Sequence, residues 1–136
     1  MNTSKTEFMI VGHRTQIDKC YVTSINVFED IVTASSTVRY LGVLIDRNLS
    51  FEQHIKVKCR IASLNLYSMR QIRSFISRDI CHQLVHSQVL SHIDYANALF
   101  VGLPASTLAP LYRVEVRAGK LVLNRGRQDS ATTAMK

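Results

Sequence analysis

Between Gln53 and Ser77 the chain carries Lys56, Lys58, Arg60, Arg70 and Arg73 and no aspartate or glutamate. Cations held in a row, with no carboxylates to neutralise them, do one kind of chemistry well. They meet the regularly spaced charges of a phosphate backbone, which requires no reading of bases. A helix face that only meets water normally mixes both signs. The whole chain leans the same way: 17 lysines and arginines oppose 10 aspartates and glutamates, a net charge of +7. Such a surplus points to a polyanionic partner, with an inert basic surface as the alternative.

Other constellations are weaker. His82 and His86 stand four apart beside Cys81 and could share a metal ion, but two imidazoles make no site and no third ligand has a usual spacing. No metal site is therefore expected. Ser91, His92 and Asp94 are neighbours in sequence, whereas members of a catalytic triad meet through the fold. No Gly-rich phosphate loop, nucleophile elbow, paired-aspartate strand or metalloprotease helix occurs. The residues alone describe a basic binding module with no catalytic group of its own.

At 136 residues, 46% hydrophobic and 20% charged, the chain is sized for one domain with a real core. Cys20, Cys59 and Cys81 are an odd number at irregular spacing, expected as small buried residues. They argue for a reducing compartment, nuclear or cytoplasmic, and against secretion. The apolar run Phe8 to Val11 is too short for a signal-peptide core, and no stretch approaches a membrane span.

The elements that must position the cations follow from periodicity. Before residue 46 the pattern is strand-like: "TEFMIVG", "CYVTSINVF", "EDIVTAS" and "STVRYLGVLID" read as four strands. In the last, Gly42 suggests a bulge or a close backbone approach. After it, Asn48 or Ser50 can cap a helix with Glu52 in its first turn. Phe51, Ile55, Cys59, Ala62, Leu66, Met69 and Ile72 or Arg73 then form one apolar stripe. On that helix Lys56, Arg60 and Arg70 project outward, with Lys58 and Arg73 at the margin. A second helix is expected from Ser77 to about Ile93 with Ile80, Leu84, Val85 and Val89 inward. Gly102 and Pro104 stop it, and Ser106 or Thr107 opens a third carrying Leu108, Leu111, Val114, Ala118, Leu121 and Val122. Strands first and helices after make an α+β fold, a short antiparallel sheet followed by a three-helix bundle.

Three stretches in this order carry a family likeness: "NTSKTEFMIVG", "VRYLGVLIDRNLSFEQHI" and "LSHIDYANALFVGLP". The chain resembles the C-terminal part of reverse transcriptases from jockey-like non-LTR retrotransposons, over about residues 2 to 123. The matching positions are Asn2, Lys5, Thr6 and Glu7; Leu41, Gly42, Val43 and Asp46; Leu49, Ser50, Phe51, His54 and Ile55; Asp94, Tyr95 and Asn97; and Gly102, Leu103 and Pro104.

The resemblance implies a division into residues 1–46, the end of a palm with a primer-grip-like strand at Leu41, Gly42 and Val43, and 47–123, a thumb-like helical region; residues 124–136, which have no periodicity, are expected to be a disordered tail. It implies Lys5 as an accessory general acid for the leaving pyrophosphate. It also implies that Lys56, Lys58, Arg60, Arg70 and Arg73 ride on a template–primer duplex of RNA or DNA. In the complete enzymes Mg2+ is held by upstream aspartates, in an Asp-bearing strand and a Tyr/Phe-Ala-Asp-Asp hairpin. Neither is in this sequence, so no cofactor and no polymerase activity is expected of this chain alone. The chain opens directly into a strand and reads as cut from something larger, without the upstream palm and fingers. In "VEVRAGKLVL" it also departs from the family's usual Gln-Asn pair, with Glu115 and Val116 there and Lys120 near an arginine position. Two other classes compete: a domesticated helical protein-interaction module without a nucleic-acid role, and a piece of a metal-dependent nuclease, which needs acidic ligands the sequence lacks.

Overall fold

The computed structural model describes residues 6–28 and 30–125, and their structure is α+β. The chain divides into two compact units, Met1–His54 and Ile55–Lys136.

In the first unit a one-turn helix α1 (Arg14–Ile17) precedes two β-hairpins. Strands β1 (Ser24–Val27) and β2 (Asp30–Thr33) pair antiparallel with Ile25 opposite Val32. Strands β3 (Thr37–Tyr40) and β4 (Val43–Asp46) pair antiparallel with Arg39 opposite Leu44. Among the described residues these are two separate two-stranded sheets, where one short sheet was expected.

The stretch expected as a first strand, "TEFMIVG", forms no ladder. Phe8 makes a single parallel bridge to Ala34, and its carbonyl accepts the amide of Ser35 at 2.7 Å. Gly12 donates instead to the carbonyl of Arg47 at 3.0 Å. With its backbone bonds divided between two partners, the segment cannot run as one strand.

The stretch expected as one long strand, "STVRYLGVLID", folds back on itself at Leu41 and Gly42. Both lie at positive φ, +46° and +80°, the geometry of a two-residue type I′ hairpin turn. Gly42 is therefore the turn residue and not a bulge. At the tip of the turn Leu41 is 73% exposed, whereas Val43 behind it is buried.

The strand-to-helix switch is organised by Asp46. Its Oδ1 accepts the amides of Asn48 (3.1 Å) and Ser50 (3.0 Å), and its Oδ2 accepts the Ser50 hydroxyl (3.1 Å) and the Phe51 amide (2.7 Å). Leu49 and Phe51 adopt positive φ within this loop. The long helix α2 (Glu52–Ile72) then begins, and the unit boundary falls in its first turn.

In the second unit the apolar stripe of α2 buries Ile55, Ala62, Leu66 and Met69, while Cys59 is half-buried and Ile72 is exposed. A 3-10 turn (Arg73–Phe75) closes α2. Ser77 caps the next rod by accepting the amide of Ile80. That rod is α3 (Arg78–Val85), a π-helical segment (His86–Leu90) and α4 (Ser91–Asp94), with helical backbone angles at both junctions.

Its core face is Cys81, Val85, Val89 and Ile93, whereas Ile80, expected inward, is 49% exposed. The buried residues repeat every four. An α-helix of 3.6 residues per turn would carry such a row about 120° off axis over this distance. The wider i→i+5 turn absorbs the drift and keeps all four on one side. The Asn65 amide of α2 donates to the carbonyl of Gln88 in that wide turn at 2.7 Å.

Helix α5 (Ala105–Val122) follows Pro104 directly, one residue before the expected Ser106 or Thr107 start and with no side-chain cap. It buries Leu111, Val114, Ala118, Leu121 and Val122. Asn124, at φ +54°, ends it: its amide bonds to the carbonyl of Leu121 and the amide of Arg125 to that of Lys120, a Schellman motif. The expectation that all three cysteines are buried holds for Cys81 alone; Cys20 is exposed. The tail after Arg125 lies outside the described residues.

Candidate nucleic-acid interface

At about 100° per residue, Lys56, Arg60 and Arg70 fall within about 80° of arc on α2, on a flank of the helix away from the buried stripe. All three are exposed. Ser63 and Tyr67 lie inside the same arc, so the row is basic with an aromatic ring in its middle.

The two residues expected at the margin are held differently. The Lys58 ammonium sits 4.9 Å from the centre of the Tyr95 ring, a cation–π contact. Arg73 follows the buried stripe, seven residues after Leu66, and turns its guanidinium inward. Its Nε donates to the carbonyl of Leu121 (2.9 Å), Nη2 to that of Val122 (3.0 Å) and Nη1 to that of Ile76 (3.1 Å). Those first two carbonyls end α5, where the helix dipole is negative. Arg73 is thus a structural clamp on the C-terminus of α5.

Between α2 and α5 lies a groove of about 820 Å³. From α2 it is lined by Ser63, Leu66, Tyr67 and Arg70, and from α5 by Tyr112, Arg113, Val116, Arg117, Lys120 and Leu121. Four cations and two phenol rings thus face one space with no carboxylate among the lining residues. Arg113, Arg117 and Lys120 occupy about 60° of arc on α5. Sequence reasoning missed them, although their spacing of four and three on a helix with an apolar face was a usable signal.

Glu115, the single acidic residue of α5, points off the other side of the helix. Burial raises its carboxyl above the usual value, and the negative charge of Asp94 raises it further. Burial likewise pushes the Cys59 thiol up, which keeps it protonated and unreactive at neutral pH.

The primer-grip-like residues Leu41, Gly42 and Val43 lie in the first unit, at the tip and in the return strand of the β3–β4 hairpin. Behind them the buried His54 holds β4: its Nδ1 accepts the amide of Leu44 at 3.1 Å. Lys5 lies outside the described residues. His82 and His86 are both exposed, and no group of three His, Cys, Asp or Glu side chains able to hold a metal gathers among the described residues. No helix among the described residues is long and apolar enough to cross a membrane.

No protein-family model, curated protein or solved structure matches this chain.

Proposed function

We propose that this chain is the palm end and thumb of a reverse transcriptase of the non-LTR retrotransposon type, retaining sequence-independent binding of template–primer nucleic acid without polymerase chemistry. The observation that carries this reading is the exposed row of Lys56, Arg60 and Arg70 on a helix without a carboxylate between Gln53 and Ser77. Such a row meets phosphates along a duplex without distinguishing its sequence. The type I′ turn at Leu41 and Gly42 supports a grip that works through backbone, since its tip carries no side chain able to read a base. Work on a nucleic-acid partner, with three free thiols, belongs inside the cell, in the nucleus or the cytoplasm.

The test is a salt titration on one labelled duplex. Each phosphate neutralised contributes about −0.9 to the log–log slope. Replacing Lys56, Arg60 and Arg70 by Gln keeps the fold and flattens the slope by about two to three units. An unchanged slope, or no binding at low salt, ends the reading.

A second reading has its own observation. Phe28 (81% exposed), Ile31, Tyr40 and Leu41 stand out of the two hairpins, a set of apolar side chains suited to docking a protein. A helical interaction module of that kind loses its partner on polar substitution of these residues and is indifferent to the triple Gln variant.

A further inference from the structure

We infer that the groove between α2 and α5 is a seat for unpaired nucleotides, in which bases stack on Tyr67 and Tyr112 while Arg70, Arg113, Arg117 and Lys120 hold the phosphates. This deepens the nucleic-acid reading and rests on it: it names single-stranded nucleic acid as the form that the second unit prefers.

Charge selects the class of occupant. Four cations and no carboxylate line the groove, so the ligand is anionic, and an extended groove with cations on both walls suits a polymer of charge better than one ion. The rings select within that class. Tyr67 and Tyr112 stand on opposite walls and are each more than half exposed. An aromatic ring open to solvent beside cations offers a π-face to any base, whatever its identity. In a duplex the base faces are covered by their neighbours, and only an unpaired strand can present them.

Dimensions agree. The α2 wall from Ser63 to Arg70 is about 10 Å long and the α5 wall from Tyr112 to Leu121 about 13 Å, at about 1.5 Å per residue. At about 3.4 Å per stacked nucleotide that is room for about three. The lining also includes Leu66, Val116 and Leu121, apolar side chains on which a base or sugar edge can rest. An acidic peptide would satisfy the cations as well, yet it would leave the two rings without a planar partner.

The chain contains no tryptophan, so its intrinsic fluorescence comes from its five tyrosines, and the share of Tyr67 and Tyr112 is isolated by comparison with Y67F/Y112F. The probes are a short labelled thymidine homopolymer, which does not stack on itself, and a blunt mixed-sequence duplex of equal length. Wild-type protein binds the homopolymer with quenching of tyrosine emission. Y67L/Y112L lowers the ratio of homopolymer to duplex affinity about tenfold for each ring lost. The conservative Y67F/Y112F keeps the affinity that the leucine variant loses, while most of the quenching disappears. R113Q/R117Q, both exposed and free of any role in the core, flattens the homopolymer salt slope by about 1.4 units, at about 0.7 per single-strand phosphate.

An unchanged ratio in Y67L/Y112L, with duplex binding intact, overturns the groove seat and leaves the phosphate reading standing. Failure to bind either probe at low salt removes both. A glutamate homopolymer that binds as tightly as the thymidine one, with no loss in Y67L/Y112L, makes the groove an acidic-peptide site and also overturns the inference.

Discussion

The imidazole Nδ1 of His54 accepts the backbone amide of Leu44 at 3.1 Å. In the β3–β4 ladder Leu44 lies opposite Arg39, one step from the turn-closing pair of Tyr40 and Val43. Its amide therefore points away from β3, out of the open edge of β4. His54 ends the first turn of α2 and occupies that edge, so one side chain both satisfies a strand amide and blocks further strand pairing there. An imidazole that accepts at Nδ1 carries its proton on Nε2, an assignment that follows from the hydrogen bond.

Replacing His54 by Leu leaves that amide without its acceptor in a buried place. The expected loss is about 1–3 kcal/mol in urea unfolding. His54→Asn puts an acceptor oxygen near the same point and recovers part of the loss. Equal stability of the leucine and asparagine variants would show that the bond contributes nothing.

Asp46 ties the loop between β4 and α2. Burial works to raise its carboxyl, but the amides of Ser50, Phe51 and Asn48 and the Ser50 hydroxyl bond the charged form and bring the net value below 3.8. A carboxylate favoured by the folded state contributes stability that is fully present above the unfolded value near 3.8 and is lost as pH falls through the lower folded one. Asp46→Ala costs about 2 kcal/mol at pH 7. Thermal melts from pH 7 to pH 2 should show wild type and variant converging only at the acid end. A constant gap across that range would assign the loop to something other than this charge.

Glu115 has the opposite sign. Burial and the Asp94 charge raise its pKa above 4.5 in the folded state, so ionising it costs the fold. That cost is absent below the unfolded value of 4.5, grows as pH rises through the raised folded value, and is fully present above it. Glu115→Gln therefore stabilises at pH 7 by roughly a few tenths of a kcal/mol, the size of a solvent-screened like-charge pair. Its advantage disappears below pH 4.5. A variant that is no more stable than wild type at pH 7 contradicts the pairing with Asp94.

Arg73 and Arg60 belong to the same basic run but should separate cleanly in experiment. Arg73→Met removes three bonds to carbonyls and the charge on the α5 terminus, for a loss of about 2–3 kcal/mol by chemical denaturation. Arg73→Lys restores the charge without the fork and recovers only part. Arg60→Gln changes stability by less than about 0.5 kcal/mol, as an exposed site should, and acts on the salt slope of binding. If Arg73→Met is as stable as Arg60→Gln, the clamp on α5 is not a feature of the protein in solution.

These contrasts also mark where sequence was informative. The stripe from Ile55 to Met69 and the helix start at Ser77 were legible because hydrophobic period and helix-start residues are local signals. The hairpin at Leu41 was not, since turns of this type usually announce themselves as Asn-Gly or Asp-Gly, and a leucine at positive φ hides the first half of the pair. Capping was expected from Asn48 or Ser50, and the Ser50 hydroxyl does accept the amide of Glu52, at 3.5 Å; what the sequence hid is Asp46, which takes the amides of the loop before the helix, bent at Leu49 and Phe51. Arg73 was grouped with the surface cations by charge, although its place on the stripe already turned it inward. On α5 the basic row was overlooked because it has no acid-free run around it: Glu115 interrupts it in sequence and leaves it in space.

The π-helical segment makes the second rod one residue longer than its core face requires. Remove one residue between Val85 and Val89, and the spacing of Cys81, Val85, Val89 and Ile93 changes from four, four, four to four, three, four. At about 100° per residue a regular α-helix then carries Cys81 and Ile93 to within about 20° of each other. A deletion at Ser87 or Gln88, both exposed, should be absorbed by tightening the wide turn, with the Asn65 bond as the main loss at about 1 kcal/mol. The same deletion at Leu64 in α2 swings the stripe through about 100° and should abolish cooperative unfolding. Circular dichroism melts of the two deletions would separate them, and loss of the transition in both would mean that the wide turn has no slack to give. The rod thus has a place where its length can change without its register, and its neighbour α2 has none.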